Sequence, residues 1–384
     1  MKIVIISPTY NEAVNIKKLI PLLEEQIIPQ IKNHDVKILI VDDNSPDGTT
    51  DVVKELMTKY KNVELLNGDK KGLGAAYVRG MHYAMDKMQA DAIMEFDADF
   101  QHDPADIPRL IEAMDKGADM VIGSRYVPGG GIPKEWGLHR KIISRFGGLF
   151  AQIMLWRFDV HDMTAGYKLT RTSFLKNVDL DHLYSKYYAY KLHILHDILK
   201  QGAKVTEVPI IFYERKEGSS KITRKDLFDS FYVVVRLRLR DSASFIKFLL
   251  VGGTGFLVQL IMQEGAVRIG TTHPVGVAIG AESAIISNFL FNNFWTFKAA
   301  DKSNTNGNFF VRLIKFNVTS LASIVIQFFA DYFAEMFFGP KIQLLSYTLP
   351  TRIVILIPTI IFLVIPLNYI IYSKIIWKTN KVKK

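Results

Sequence analysis

Four long apolar runs fill the last third of this 384-residue chain, at about 245–264, 274–296, 313–338 and 348–372. Each can span a hydrocarbon core of roughly 30 Å, for which a helix needs about 20 residues. In that medium the backbone must satisfy its own hydrogen bonds, so four membrane helices are expected. Pro358 and Pro366 are expected to kink the last one. Lys and Arg cluster before the first run (Arg236, Arg238, Arg240, Lys247), between the second and third (Lys298, Lys302, Arg312, Lys315) and in the tail (Lys374, Lys378, Lys381, Lys383, Lys384). The opposite loops hold little beyond Arg268, Lys341 and Arg352. The positive-inside bias therefore predicts that both termini and everything before the first run face the cytoplasm. Asn288, Asn292, Asn293, Asn317, Glu282 and Asp331 lie in or near the runs, and the asparagines are expected to bond helix to helix.

The rest of the chain is composed like a soluble protein. Short β-type runs, KIVII (2–6), VKILIVDD (36–43), VELL (63–66), DAIMEFD (91–97) and DMVIG (119–123), alternate with segments of helical spacing. This predicts an α/β layer with a largely parallel sheet, whose ligands bind beyond the carboxyl ends of the strands. A second block runs from about 134 to 217, with an apolar helix pattern, the turn DMTAGYKLTR, another helix near 186–201 and the strand VTEVPIIFYE. The predicted division is a cytosolic domain at 1–224, an amphipathic interface helix at 225–243 and a membrane domain at 244–384. Alternation at 235–240 would also suit a strand.

The net charge of +10 fits an anionic bilayer or phosphate-bearing ligands. Because the basic groups gather near the membrane runs, a bilayer is the expected partner and nucleic acid is not. There is no cysteine, which excludes disulfides and thiolate-bound zinc. The opening MKIVIISPTYNE has only a strand's length of apolar sequence, so no signal peptide is expected.

Four strands end in polar turns: SPTYNE (7–12), VDDNSPDGT (41–49), FDADFQHD (96–103) and GSRY (123–126). In the first, Glu12 sits where a helix dipole favours an acid. In the second, Asp42 and Asp43 can accept bonds from a nucleoside or cap a turn. KKGLGAAYVRG (70–80) looks like a dinucleotide-binding glycine loop, but that fingerprint belongs to the first strand-to-helix turn, which here has no glycine. A closely packed helix start is the better reading, and an NAD-dependent oxidoreductase is disfavoured.

In FDADFQHD, Asp97 and Asp99 can converge on one divalent cation, with Gln101 adding an amide oxygen; such hard ligands suit Mg²⁺ or Mn²⁺. His102 reads as a turn residue. Asp103 before Pro104 reads as a helix cap. Arg125 after its strand, Arg140 at a helix start, and Arg215 and Lys221 in RKEGSSK (215–221) are either solvated surface or cations for phosphate groups.

Taken in order, PTYNE, VDDNSPDGT, KGLGAA, DADFQHDP, GSRY, DMTAGYKLTR and RKEGSSK resemble the polyprenyl-phosphate glycosyltransferases of glycosyltransferase family 2, especially dolichol-phosphate mannose synthases, over about residues 1–240. The apolar runs, with NNFWTFK at 292–298, resemble the GtrA-like membrane domain. The resemblance implies a GT-A-like nucleotide-sugar-binding α/β domain with a mixed sheet, followed by an all-α four-helix membrane domain. It implies that Pro8, Tyr10, Glu12, Val41 and Asp43 surround a nucleoside. Asp97, Asp99 and Gln101 would hold the metal against a diphosphate, with Ala98 in contact, and Arg125, Arg140, Arg215 and Lys221 would bind phosphates. Asp99, Arg125, Arg215 and Lys221 are thus the expected catalytic groups. One departure stands out: the family turn is closer to D-x-x-S-G-F, whereas DMTAGY keeps Asp162 and Gly166 but lacks the serine. The implied activity is inverting transfer of a hexose, mannose from GDP-mannose, to a polyprenyl or dolichyl phosphate. A UDP-glucose-dependent glucosyltransferase and a non-catalytic transporter of lipid-linked sugars are the alternatives.

Overall fold

A computed structural model gives the fold; it describes residues 1–215, 224–298, 309–344 and 347–377. The chain divides into two compact units, Met1–Arg240 and Asp241–Lys384.

The first unit is built on seven strands: β1 (Lys2–Thr9), β2 (Asp35–Asp42), β3 (Val63–Asn67), β4 (Ala92–Glu95), β5 (Met120–Ser124), β6 (Lys168–Arg171) and β7 (Val205–Pro209). Their order is β3-β2-β1-β4-β6-β5-β7. All neighbours are parallel except β6, which runs antiparallel to both β4 and β5. Side chains alternate between the faces of each strand. Val4, Ile6, Leu39, Val41, Ile93 and Ile122 pack on α3 (Leu73–Asp86), α5 (Leu138–Leu155), α7 (Tyr190–Lys200) and the start of α8 (Arg224–Arg268). Ile3, Ile5, Ile38, Ile40, Met94 and Val121 pack on α1 (Ala13–Leu22), α2 (Thr49–Lys59) and α4 (Ile107–Asp115). The short α6 (Thr172–Leu175) follows β6 directly.

Five sequence-predicted strands and the start of VTEVPIIFYE form as expected, while β6 lies inside a segment expected to be a turn. Only four residues long, KLTR pairs on both edges, and even its Lys168 is fully buried. The helix start after KKGLG packs closely: a Cβ on Gly74 would lie 2.8 Å from the Tyr187 carbonyl oxygen and 2.9 Å from Tyr190 Cβ.

The interface helix expected at 225–243 and the first membrane run form one continuous helix, α8, with no proline between them to break it. Its first part is a core helix of the first unit. Val233, Val234 and Leu237 are buried there, Arg236 lies 4.3 Å over the Tyr184 ring, and Arg240 pairs with Asp197. On its exposed side stand Phe228 and Phe231, the latter stacked on Phe150 of α5 at 5.2 Å. The α5 helix carries a second exposed apolar stripe: Leu138, Ile142, Phe146, Leu149 and Ile153 recur at helical spacing.

In the second unit, the spans long and apolar enough to cross a membrane are Lys225–Arg268, His273–Thr296, Phe309–Phe338 and Val354–Ile376, the first of them beginning in the first unit. The helical part of the last run begins at Thr351 rather than 348, after Gly339, at φ +76°, and Pro340 have followed the end of the preceding helix at Phe338. The chain then pairs Lys341–Leu344 with Tyr347–Pro350 as an antiparallel hairpin. Aromatic packing unites Phe289, Phe297, Phe316, Tyr372 and the fully buried Trp377. Of the asparagines singled out, Asn293 bonds between segments as expected, accepting from Trp377 Nε1 at 3.2 Å; a further one, Asn368, accepts from Ser323 Oγ at 2.9 Å. Asn317 instead donates to Leu313 of its own helix.

Candidate active site

β1, β2 and β4 are adjacent and parallel, so their exit turns meet at one edge of the sheet. Each turn contains a residue other than glycine at positive φ: Asn11 at +59°, Asn44 at +51° and Phe100 at +57°. Such backbone is costly outside glycine and tends to accumulate at functional sites.

In the first two turns the polar groups divide between ligand and scaffold. Asp42 is fully buried and accepts from Thr9 Oγ1 (2.8 Å), the Ser45 amide (2.9 Å) and hydroxyl (2.6 Å), and Thr50 Oγ1 (2.9 Å). It fixes the turn. Asp43 accepts a charge-assisted bond from Arg79 Nη2 at 2.7 Å, and the guanidinium fits because Gly68 has no side chain; a Cβ there would lie 2.5 Å from Arg79 Cζ. Tyr10 is exposed at the edge, with Lys70 Nζ 3.2 Å above its ring. Pro8 pairs in register with Val41, whose side chain is wholly buried against α3. Any contact Val41 makes with a ligand therefore comes from its backbone.

The β4 turn holds the metal-type residues. Asp97 Oδ1 accepts from Tyr77 Oη at 2.6 Å, and its Oδ2 lies 3.9 Å from Lys191 Nζ. Burial alone would raise the Asp97 pKa, but Lys191, His102, the Tyr77 bond and Arg215 outweigh it and leave the pKa lowered. Asp99 differs: burial and the neighbouring Asp97 charge push it up to about 6, against the Gln101 amide and Arg215. Arg215 spans the site, bonded to Glu12 and 3.8 Å from Asp99 Oδ2. Gln101 donates through Nε2 to the Tyr213 carbonyl at 3.4 Å, which directs its amide oxygen elsewhere. Ala98 is buried between the two carboxylates in sequence. Two crowded carboxylates and an amide oxygen form a hard donor set that suits Mg²⁺ or Mn²⁺, and a cation would relieve the repulsion that raises Asp99.

Of the two residues that follow, Asp103 behaves as the sequence predicts, while His102, expected simply in a turn, is buried among aromatic rings. Asp103 accepts from the Ala105 amide at 2.9 Å, capping the helix that Pro104 begins. His102 packs 5.0 Å from the Tyr167 ring and 5.1 Å from Phe212, and burial lowers its pKa to about 4.

Arg125 departs from expectation. It is 9% exposed, donating to Asp162 through its backbone amide (3.1 Å), Nε (2.7 Å) and Nη2 (2.7 Å), with a further bond to Thr164 Oγ1 at 2.9 Å. The expected exposed phosphate ligand is a buried fork that pins the 162–166 turn. It had to be: Asp162 is fully buried and requires a counter-charge. Arg140 is partly open at the start of α5, 4.0 Å over the Trp136 ring. Lys221 lies outside the described residues.

Tyr77, Lys191 and Arg79 were not foreseen as site residues. All three lie inside helices, where a tyrosine, a lysine or an arginine is ordinarily a surface or core residue.

The pattern of Glycosyl transferase family 2 matches residues 4–179, and that of the GtrA/DPMS transmembrane domain matches 247–377. A dolichol-phosphate mannosyltransferase from Pyrococcus furiosus is 34% identical over 344 residues, spanning 88% of this chain and 92% of the relative. A polyprenol monophosphomannose synthase from Mycolicibacterium smegmatis is 35% identical, covering 62% of this chain and 86% of its own. An undecaprenyl-phosphate mannosyltransferase from Micrococcus luteus is 39% identical over 58% of this chain and 88% of its own. Among solved structures, glucosyl-3-phosphoglycerate synthase from Mycobacterium tuberculosis, with Mn²⁺ and UDP, gives a TM-score of 0.45 at 15% identity over 62% of this chain and 79% of that one.

Proposed function

Because the chain belongs to the family 2 glycosyltransferases that carry a GtrA/DPMS transmembrane domain, we propose that it transfers mannose from GDP-mannose to a polyprenyl or dolichyl phosphate. The observation that carries this reading is the convergence of Glu12, Asp97, Asp99 and Arg215 at one edge of the sheet. The Pyrococcus furiosus relative aligns over 92% of its length and 88% of this chain, so the match extends into the membrane domain.

Asp97, Asp99 and Gln101 would hold Mg²⁺ or Mn²⁺, which supplies positive charge to the donor's diphosphate. Tyr10 offers a ring for the base, and Asp43, steadied by Arg79, accepts bonds from the nucleoside. Arg215 exchanges its carboxylate partners for diphosphate oxygens, and Arg140 and Lys221 complete the phosphate contacts. An oxygen of the lipid phosphate forms the new bond to the anomeric carbon as the bond to the GDP oxygen breaks. In-line attack inverts that centre, so an α-linked donor gives a β-linked product. The phosphate monoester is already anionic near neutral pH, so no strong base is needed. Positioning and charge stabilisation suffice. The exposed apolar stripe of α5, beside Arg140, suits a prenyl acceptor at a bilayer surface. Both termini and the first unit would then lie in the cytoplasm, as the lysine and arginine bias predicts.

Asp99→Asn tests this, with labelled mannose transfer to a short polyprenyl phosphate as the assay. Loss of at least about 100-fold is expected. Unchanged transfer sinks the mechanism, and lipid movement without transfer would favour a transporter. A donor panel that includes UDP-glucose decides the sugar.

A further inference from the structure

Lys191, in the first turn of α7, is 2% exposed, and its ammonium lies 3.9 Å from Asp97 Oδ2. Burying an ammonium group is expensive unless it is paired, and the fold makes room for this one. A Cβ on Gly166 would lie 2.5 Å from Lys191 Nζ, so glycine in the DMTAGY turn is what lets the ammonium approach. Tyr188 backs it, with its ring centre 4.6 Å from Nζ. The orientation of Asp97 is already secured by the Tyr77 phenol at 2.6 Å, a neutral donor. What Lys191 adds is charge.

The charges around the site can be counted. Glu12, Asp97 and Asp99 contribute three negative charges when ionised, and Lys191 and Arg215 contribute two positive ones. A bare divalent cation therefore meets carboxylates that are already largely compensated. A nucleoside diphosphate brings fresh negative charge with it. The number of uncompensated ligand charges is a main determinant of divalent-cation affinity.

We propose that Lys191 is a built-in counter-charge that keeps the carboxylates from retaining a divalent metal alone, so that metal is held only together with the donor's diphosphate. This rests on Asp97 and Asp99 being the metal ligands. By linkage, the factor by which nucleotide tightens metal equals the factor by which metal tightens nucleotide. Lys191 sets the size of that factor.

The test is Mn²⁺ binding to the purified full-length chain, followed by electron paramagnetic resonance, without nucleotide and with GDP. In the unaltered chain, GDP is expected to tighten Mn²⁺ at least tenfold. Lys191→Met is expected to tighten Mn²⁺ without nucleotide by at least tenfold and to shrink the GDP effect to match. Gly166→Ala, which displaces the ammonium but keeps its charge, moves the nucleotide-free affinity the same way by a smaller factor. Tyr77→Phe, which removes a bond and no charge, does not tighten it. Nucleotide-free affinity that is unchanged or weaker in Lys191→Met overturns the proposal, as does equal tightening in Tyr77→Phe. Should Lys191→Met not fold, Gly166→Ala decides alone, and no tightening there overturns it. The nucleotide-free comparison is independent of the donor's identity, so it stands even if GDP is the wrong nucleotide.

Discussion

Arg125 provides the sharpest test of the site's construction, because sequence and structure give it different work. If it is the buried partner of Asp162, replacing it with methionine strands a carboxylate that is fully buried. Removing one member of a buried pair costs about 3–5 kcal/mol. The unit spans Met1–Arg240, and for domains near that size each kcal/mol moves the melting temperature by about 2–4 °C. Arg125→Met should therefore melt roughly 6–20 °C lower in detergent, as followed by tryptophan fluorescence. Asp162→Leu should fall comparably. The double variant should recover part of the loss, since the two changes remove one shared interaction. Donor KM, measured well below the melting range, should change less than threefold in Arg125→Met. A variant that melts within about 2 °C of the unaltered chain while its KM rises tenfold would show that Arg125 is a phosphate ligand after all.

Other outcomes follow from the same geometry. With Asp99 pushed up to about 6, kcat/KM at limiting metal should hold above that pH and fall as pH drops through it, because protonation removes the carboxylate; a pH profile flat to 4.5 contradicts this. Gly74→Ala should destabilise the first unit by about 1–3 kcal/mol, because its methyl meets backbone at 186–187 and cannot be accommodated by turning a side chain. Asp103→Ala should cost about 1 kcal/mol through the lost cap and leave donor KM unchanged, which thermal melting and steady-state kinetics can check together.

The strands and their exit turns were legible because each apolar run is a strand's length and stops at a cluster of turn-forming residues. The Asp97–Asp99 pair was legible for the same reason: a D-x-D element after a strand places both acids at the sheet edge. β6 was not, since four residues with a lysine and an arginine carry no apolar signal, and only pairing on both sides makes them a strand. Nor were Tyr77 and Lys191, which reach Asp97 from 20 and 94 residues away in sequence through the packing of α3 and α7. Arg125 was assigned the wrong environment because an arginine after a strand looks exposed until its buried partner, 37 residues on, is known. The buried stripe of α8 at Val233, Val234 and Leu237 was not legible either, because the charges around those residues hide it.

The reversed strand β6 also sets a timetable for synthesis. Because the chain emerges from the ribosome amino end first, β4 can dock on β1 while its other edge still lacks a partner. That edge waits from Glu95 until Lys168 has emerged, and at about 5–20 residues per second the delay is roughly 4–15 s. For those seconds a nascent chain carries an unpaired, largely apolar strand edge. The strand that delivers Asp97 to the site thus begins its existence with an edge open to misassembly.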